Sequence, residues 1–333
     1  MSAPVIQNTG NPVCGERSEL RSASHVGVFR ALPLGAMICA IPALRVLRAL
    51  APSAMITLIG APWAATFVTR FSHYLDRFVP FPGHPDLDGH ADRVAFNRFA
   101  EDIRPRFDWL IQLHGGGHLT NAILAHFSAR HRAGFVSHPD AVDQNFISYP
   151  AAGHESERLL ALMRHLGGHG TLDLEWSVTE SDRMDLLRQP WRTALAGEPY
   201  VVVDMESCRG DCWRRPGIGE LIGRLAGDYA VVMTDSSKDV SPTDGRTIHA
   251  QPLGLGALGA LVADAKMVIG SESGCGHIAT ALSVPSLTIA LDSDPIRWCR
   301  PHDMRHPSLD GRFGVDADHA WALICQALHH NAP

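Results

Sequence analysis

At 333 residues the chain is long for one domain and comfortable for two, and 45% hydrophobic with 19% charged residues gives ample material for buried cores. A net charge of −6 supplies no basic field, which argues against nucleic acid as a partner. Seven scattered cysteines (14, 39, 208, 212, 275, 299 and 325) include no C-x2-C pair, so free thiols in a reducing cytosol are expected.

Residues 1–22 are polar and hold no apolar core of signal-peptide length, which predicts a loose tail. The apolar stretch Leu32–Leu50 is interrupted by Pro33, Pro42, Arg45 and Arg48 and cannot span a bilayer. Val26–Arg30 reads as a strand and Ala36–Ala51 as a helix; Met55–Gly60 and Trp63–Phe71 repeat that pair. Arg77–Pro82 is a third strand, a Pro/Gly/Asp loop covers Phe81–Gly89, and a helix is expected near Asp92–Asp102. Trp109–Leu113 is a strand ending in His114-Gly-Gly-Gly117, followed by helix Thr120–Ala129 and strand Arg132–Val136. This alternation implies right-handed βαβ units and a parallel sheet.

Ser137–Gly153 reads as a long loop, Glu155–Leu166 as a helix, and the polar segment Thr171–Gln189 as a connection. Alternation then restarts with strand Tyr200–Met205, helix Ile218–Ala226, and strands Tyr229–Thr234 and Thr247–Ala250. Helix Ala257–Ala265 leads to strand Lys266–Gly270; strand Ser286–Leu291 and helix Ala317–His330 close the chain. The organisation expected is a tail (1–22), an N-terminal domain (23–175), a connection (176–198) and a C-terminal domain (199–333). Both domains would be doubly wound α/β, with ligands at the carboxyl ends of the strands.

The most informative stretch is Val268-Ile-Gly-Ser-Glu-Ser-Gly-Cys-Gly-His-Ile-Ala279. A buried strand breaks into small residues and a helix begins at once, which offers unpaired N–H groups and the positive end of a helix dipole to an anion. Ser273, Gly274, Cys275, Gly276 and His277 are therefore candidate phosphate-binding residues. Its G-x-G-x-x-A spacing also matches a dinucleotide fingerprint, a weak match that arrives near the end of a half rather than at its first strand. His114, at a strand end beside three glycines, is a candidate general base. Arg209, Arg214 and Arg215, between a strand and a helix, could neutralise a diphosphate. Cys208, Cys212, Cys299, His302 and His306 do not have metal-site spacing, and no metal is expected there. Ser273 lacks the G-x-S-x-G elbow of an esterase.

Read together, these pieces resemble glycosyltransferase family 9, the ADP-heptose:lipopolysaccharide heptosyltransferase family. Arg30-Ala-Leu-Pro-Leu-Gly-Ala-Met-Ile-Cys-Ala-Ile-Pro-Ala-Leu-Arg-Val-Leu-Arg48 is similar to the family's first loop and helix, and Leu258 to Pro285 is similar to its D-[ST]-G-x-x-H segment. Asp294-Pro-Ile-Arg-Trp298 resembles a stretch that often follows. The resemblance implies a GT-B fold of two Rossmann-like domains facing a cleft. It also implies inverting, metal-independent transfer of a heptose-like sugar from a nucleotide-diphosphate donor, ADP-linked by the family's habit, to a hydroxyl of a glycan, lipopolysaccharide-type or small-molecule acceptor. No cofactor is implied. The location implied is cytoplasmic, with peripheral contact at the inner face of the membrane left open.

The departures from the family matter. Its candidate base is an aspartate after the first-loop glycine, whereas Gly35 is followed by Ala36. Asp204-Met205-Glu206 replaces its His-Pro-Gly, Thr234-Asp235-Ser236 replaces its Thr-Gly-Ser, and Glu272 replaces the cradle aspartate. With no carboxylate at Ala36, His114, Asp204 and Glu206 are the candidate bases, and Thr234 is a candidate donor contact. The alternative is an impaired homologue that binds nucleotide-sugar as a scaffold or regulatory subunit.

Overall fold

The computed structural model describes residues 19–88, 92–103, 106–137, 144–195, 197–204, 217–234, 246–250, 252–292, 294–299 and 303–329. The first half runs β1 His25–Phe29, α1 Leu34–Ile38, α2 Ile41–Leu50, β2 Met55–Gly60, α3 Ala65–Arg70, β3 Arg77–Pro80, α4 Pro85–Asp88 and α5 Arg93–Asp102. It continues with β4 Phe107–Gln112, α6 His118–Leu124, β5 Ala129–Val136, β6 Phe146–Ser148 and α7 Glu155–His165. The second half comprises α8 Glu180–Leu187, β7 Tyr200–Asp204, α9 Ile218–Asp228, β8 Ala230–Met233, β9 Thr247–His249 and α10 Leu255–Asp264. After these come β10 Met267–Gly270, α11 Gly274–Ala281, β11 Ser286–Ala290, α12 Pro295–Trp298, β12 Ser308–Asp310 and α13 Ala317–His329.

The strands form two six-stranded sheets, ordered β3-β2-β1-β4-β5-β6 and β12-β11-β10-β7-β8-β9, and the strand pairs are parallel. Numbered within its own half, the second sheet repeats the 3-2-1-4-5-6 winding of the first. In each sheet the winding reverses between the first and fourth strands, β1 beside β4 and β7 beside β10. Such reversal points are where doubly wound sheets bind ligands. The strands carry near-continuous apolar runs because both faces are covered; Val201, Val202 and Val203 of β7 are all fully buried.

The chain divides into two compact units. The first takes in the chain up to Ala31, Ala43–Tyr149 and Leu159–Gly170; the second takes in Leu32–Pro42, Pro150–Arg158 and the chain from Thr171 onward. Two short segments of the first half, one of them carrying α1, thus fold with the second sheet. The first unit has an aromatic core, in which Phe29, Phe81, Phe96, Phe107 and Phe127 join Ile59, Leu110, Ile123 and Leu124. The second is aliphatic, built on Val201, Val203, Leu221, Leu225, Ile269, Leu287, Ile289 and Ile324.

Several local expectations are revised. The helix expected over Ala36–Ala51 breaks at Cys39–Ala40 into α1 and α2, because Pro42 has no N–H to continue the ladder. The loop Ser137–Gly153 contains β6, and the Phe81–Gly89 loop contains α4. Helix Thr120–Ala129 ends early at Leu124, and β5 starts at Ala129. The connection Thr171–Gln189 holds α8, started by a capping box in which Thr179 N–H donates to Asp182 Oδ2 at 2.9 Å and Asp182 N–H to Thr179 Oγ1 at 3.2 Å. Edge strand β12 pairs with β11 and is too short to show a period-two pattern.

At the end of β4, Gly117 adopts φ +93° as the N-cap of α6, and a Cβ there would lie 1.8 Å from the Phe135 carbonyl oxygen. Backbone cannot yield as a flexible side chain can. Gly117→Ala is therefore expected to destabilise the protein by more than about 2 kcal/mol, read as a lowered urea midpoint with an unchanged secondary-structure signal before the transition.

Candidate functional site

Within the second unit, β10 ends at Gly270 and the turn Ser271–Ser273 delivers the chain into α11. Ser273 is the N-cap, with extended backbone (φ −94°, ψ 172°). A serine at that position ordinarily accepts an N–H of the helix's first turn. Here its side chain makes no such bond, and its Oγ is buried without a hydrogen-bond partner among the described residues. The first-turn N–H groups also have no partner inside the helix. A buried, unsatisfied hydroxyl and a set of N–H donors thus lie together at the positive end of a helix dipole. This is the chemistry of an anion site.

Ser271, Glu272, Ser273, Gly276 and His277 line a pocket in this unit together with His154, Thr280, Thr288, Trp298, Cys299 and His306. Opposite charges fix its furniture. Glu155, fully buried at the start of α7, accepts from Arg297 Nε at 2.8 Å, and the Arg297 guanidinium lies 4.7 Å from the centre of the Trp298 ring. Asp294 caps α12 by accepting from the Ile296 N–H at 3.0 Å. His306 Nδ1 is 2.9 Å from Ser286 Oγ. Burial, followed by the negative charge of Glu272, pushes the Cys299 thiol up to about 12, so this cysteine is a neutral thiol at physiological pH.

Helix α1 packs against α11 in this unit. Gly35 makes the approach possible: a Cβ there would come within 2.8 Å of His277 Cδ2 and 3.2 Å of the Ser273 carbonyl oxygen. Ala36, where the family pattern has a carboxylate, is a buried residue of α1.

The expected site residues separate into groups. Ser273, Gly274, Gly276 and His277 form the cradle and its first helical turn. Cys275 is one of them in sequence, but its side chain is buried in the core, which leaves its backbone N–H as its contribution. Asp204 is buried at the end of β7, in register with Gly270 of β10, and its carbonyl accepts the Ser271 N–H at 3.0 Å. Thr234 follows β8, and its Oγ1 is another buried atom with no partner among the described residues. Glu206, Arg209, Arg214, Arg215, Cys208, Cys212 and His302 lie outside the described residues.

His114 belongs to the first unit. Its loop is fastened by buried Gln112, whose Oε1 accepts the His114 N–H and whose Nε2 donates to the Gly115 carbonyl, both at 2.9 Å. The buried Arg30 guanidinium donates to the Leu113 carbonyl, joining the ends of β1 and β4. His114 Nδ1 accepts the Ala31 N–H at 3.1 Å. That bond places the proton of the neutral ring on Nε2, so the imidazole presents a donor rather than a free lone pair. His154, Trp298 and Thr288 went unread as site residues, since scattered single residues carry no local pattern; the D-P-I-R-W stretch hinted at Trp298, and His306 was weighed only as a metal ligand and set aside.

Residues 96–307 match glycosyltransferase family 9 (heptosyltransferase). The structure is similar to a glycosyltransferase family 9 protein from Veillonella parvula DSM 2008, at a TM-score of 0.73 and 17% identity over 92% of this chain and 98% of that one. It is also similar to the E. coli ADP-heptose lipopolysaccharide heptosyltransferase II (TM-score 0.67, 19% identity) and to E. coli heptosyltransferase WaaC with ADP-2-deoxy-2-fluoro heptose (TM-score 0.63, 16% identity), each over 92% of this chain and 100% of the other. No curated protein sequence matches the chain. Two parallel α/β sheets of this kind are the architecture of the GT-B fold.

Two expectations follow. Ser273→Ala removes an unsatisfied buried hydroxyl, so stability should hold or rise by up to about 1 kcal/mol, while affinity for inorganic pyrophosphate should fall about tenfold; melting curves and calorimetric titration read the two separately. Glu155→Gln leaves the partly exposed Arg297 without its counter-charge and should cost about 1–2 kcal/mol, measured by urea unfolding.

Proposed function

The chain belongs to glycosyltransferase family 9, and on that premise we propose that it transfers a heptose-like sugar from an ADP-linked donor, with inversion, to a hydroxyl of a glycan or lipopolysaccharide-type acceptor. The coarser statement, that it is a glycosyltransferase acting on a nucleotide-sugar, follows from the family and the fold it shares with heptosyltransferases. The observation that supports a diphosphate leaving group is the N-terminus of α11 with the Ser273 hydroxyl, unpartnered among the described residues; the heptose, the adenine base and the inversion rest on the family. Such a site suits a group that gains negative charge as the reaction proceeds, because fixed N–H dipoles then stabilise the transition state more than the ground state.

In the proposed reaction the acceptor oxygen forms a bond to the anomeric carbon as the bond to the diphosphate breaks. The leaving diphosphate keeps the electron pair, and the acceptor proton goes to a base. We place the diphosphate on the backbone N–H groups of Gly274, Cys275 and Gly276 with Ser273 and His277, and assign Glu272 to accept from a sugar hydroxyl. Thr234, Arg214 and Arg215 are proposed as further donor contacts. The base cannot be Ala36, whose methyl takes no proton. We assign proton removal to Asp204, a carboxylate at the end of β7 in the same unit as the cradle. His114, with its Nε2–H, is assigned to hold the acceptor by donating a hydrogen bond. Glu206 remains the neighbouring carboxylate in sequence.

Ala36 favours one second reading, that of a homologue which binds the nucleotide-sugar without turning it over, as a scaffold or regulatory subunit. Among the described residues no helix is long and apolar enough to cross a membrane. A lipopolysaccharide-type acceptor would place the work at the cytoplasmic face of a membrane, through peripheral contact.

Thermal-shift measurements with ADP, UDP, GDP and NAD test the donor: ADP at about a hundred times its Kd should stabilise by about 2.7 kcal/mol, and stabilisation by NAD alone would overturn the transferase reading. Asp204→Asn should lower transfer about 10²–10⁴-fold while ADP stabilisation persists, with His114→Ala milder. Equal activity in Asp204→Asn would remove the base assignment. A large gain in transfer on Ala36→Asp, from a wild type without measurable turnover, would support the binding homologue instead.

A further inference from the structure

Behind the cradle, three side chains from distant parts of the sequence meet. Cys39 lies just after α1, His154 immediately before α7, and His277 in the first turns of α11. All three belong to the second unit. Each offers one ligand atom, and those atoms lie within 4.8 Å of one another. Cys39 Sγ is 3.7 Å from His277 Nδ1 and 3.8 Å from its Nε2, and the His154 and His277 rings are 6.1 Å apart between centroids. All three residues are buried, at 0%, 8% and 6% exposure respectively.

These distances are compatible with closure around a metal ion. Around a tetrahedral zinc ion, a thiolate sulfur and an imidazole nitrogen stand about 3.5 Å apart and two imidazole nitrogens about 3.3 Å apart. The Cys39–His277 edge is already near that length. Sulfur stands almost equally far from both nitrogens of His277, so a turn of the ring aims one of them at the ion. The remaining closure falls to His154, whose Nδ1 now accepts the Ser156 N–H at 3.2 Å. That bond is long and between neutral groups, and a metal–imidazole bond outweighs it.

We infer that Cys39, His154 and His277 form a three-ligand site for a divalent ion of the zinc class. One thiolate and two imidazoles make a mixed soft and borderline donor set, which suits zinc and disfavours magnesium or calcium. Three protein ligands leave a fourth position, and His154 and His277 both line the pocket, so that position opens toward it. The inference stands independently of the donor's identity. It departs from the metal-independence implied by the family resemblance, and it uses none of the cysteines and histidines that the sequence had offered as metal ligands.

Titration of the metal-free, full-length protein with Co²⁺ and Zn²⁺ is the test. One Co²⁺ per chain is expected, with a thiolate-to-cobalt charge-transfer band in the near ultraviolet. Cys39→Ser should abolish that band, and His154→Gln should weaken Zn²⁺ affinity at least tenfold, with far-ultraviolet circular dichroism confirming that each variant is folded. Cys299→Ser, which changes the thiol that lines the pocket, should keep the band. Adding inorganic pyrophosphate should shift the visible cobalt bands if the fourth position opens into the pocket, and an unmoved spectrum overturns that part. Absence of the band in the wild type, its persistence in Cys39→Ser, or its loss in Cys299→Ser overturns the site.

Discussion

The close packing of α1 on the start of α11 is the contact on which the second unit's site depends. It needs a glycine at position 35, because any side chain there would press on His277 and on the Ser273 carbonyl. A segment that precedes most of the first sheet in sequence thereby packs against the helix that opens from the second sheet's β10. Cys39 arrives beside His277 by the same route. Pro42 helps to set the geometry, since it ends the ladder that would have made α1 and α2 a single helix.

Around that contact, polar groups are distributed unevenly. Elsewhere in the unit buried Glu155 is paired with Arg297, and capping positions such as Thr179 and Asp294 satisfy their helix ends. At the start of α11 the capping serine does not. Folded proteins rarely leave a buried hydroxyl without a partner, so its position beside helix N–H groups reads as capacity kept for a ligand. The two sheets repeat one winding, yet their reversal points are furnished differently. In the first unit Gln112 and Arg30 tie the strand ends, and the Ala31 N–H holds His114 in a donor tautomer.

Much of this was legible in the residues. Long apolar strand runs alternating with helices announced two parallel α/β halves, because strands covered on both faces need no period-two pattern. The strand-to-helix turn at Ser271–Ser273 was legible as well, since a junction of contiguous residues needs no distant partner. Short elements such as β6 and β12 escaped, being three residues each and defined by their neighbours. Helix α8 could have been read from Thr179 and Asp182, whose spacing is a capping box.

The sequence by itself determined the alternation, the strand-to-helix turn before Gly274, and the absence of a carboxylate at Ala36, all of which are properties of contiguous residues. Only the tertiary structure decided which side of Cys275 faces the core, which nitrogen of His114 is occupied, and which residues gather around His277. Cys39 and His277 are 238 positions apart. No periodicity or spacing rule links residues at that separation; the folding of Leu32–Pro42 and Pro150–Arg158 with the second sheet does.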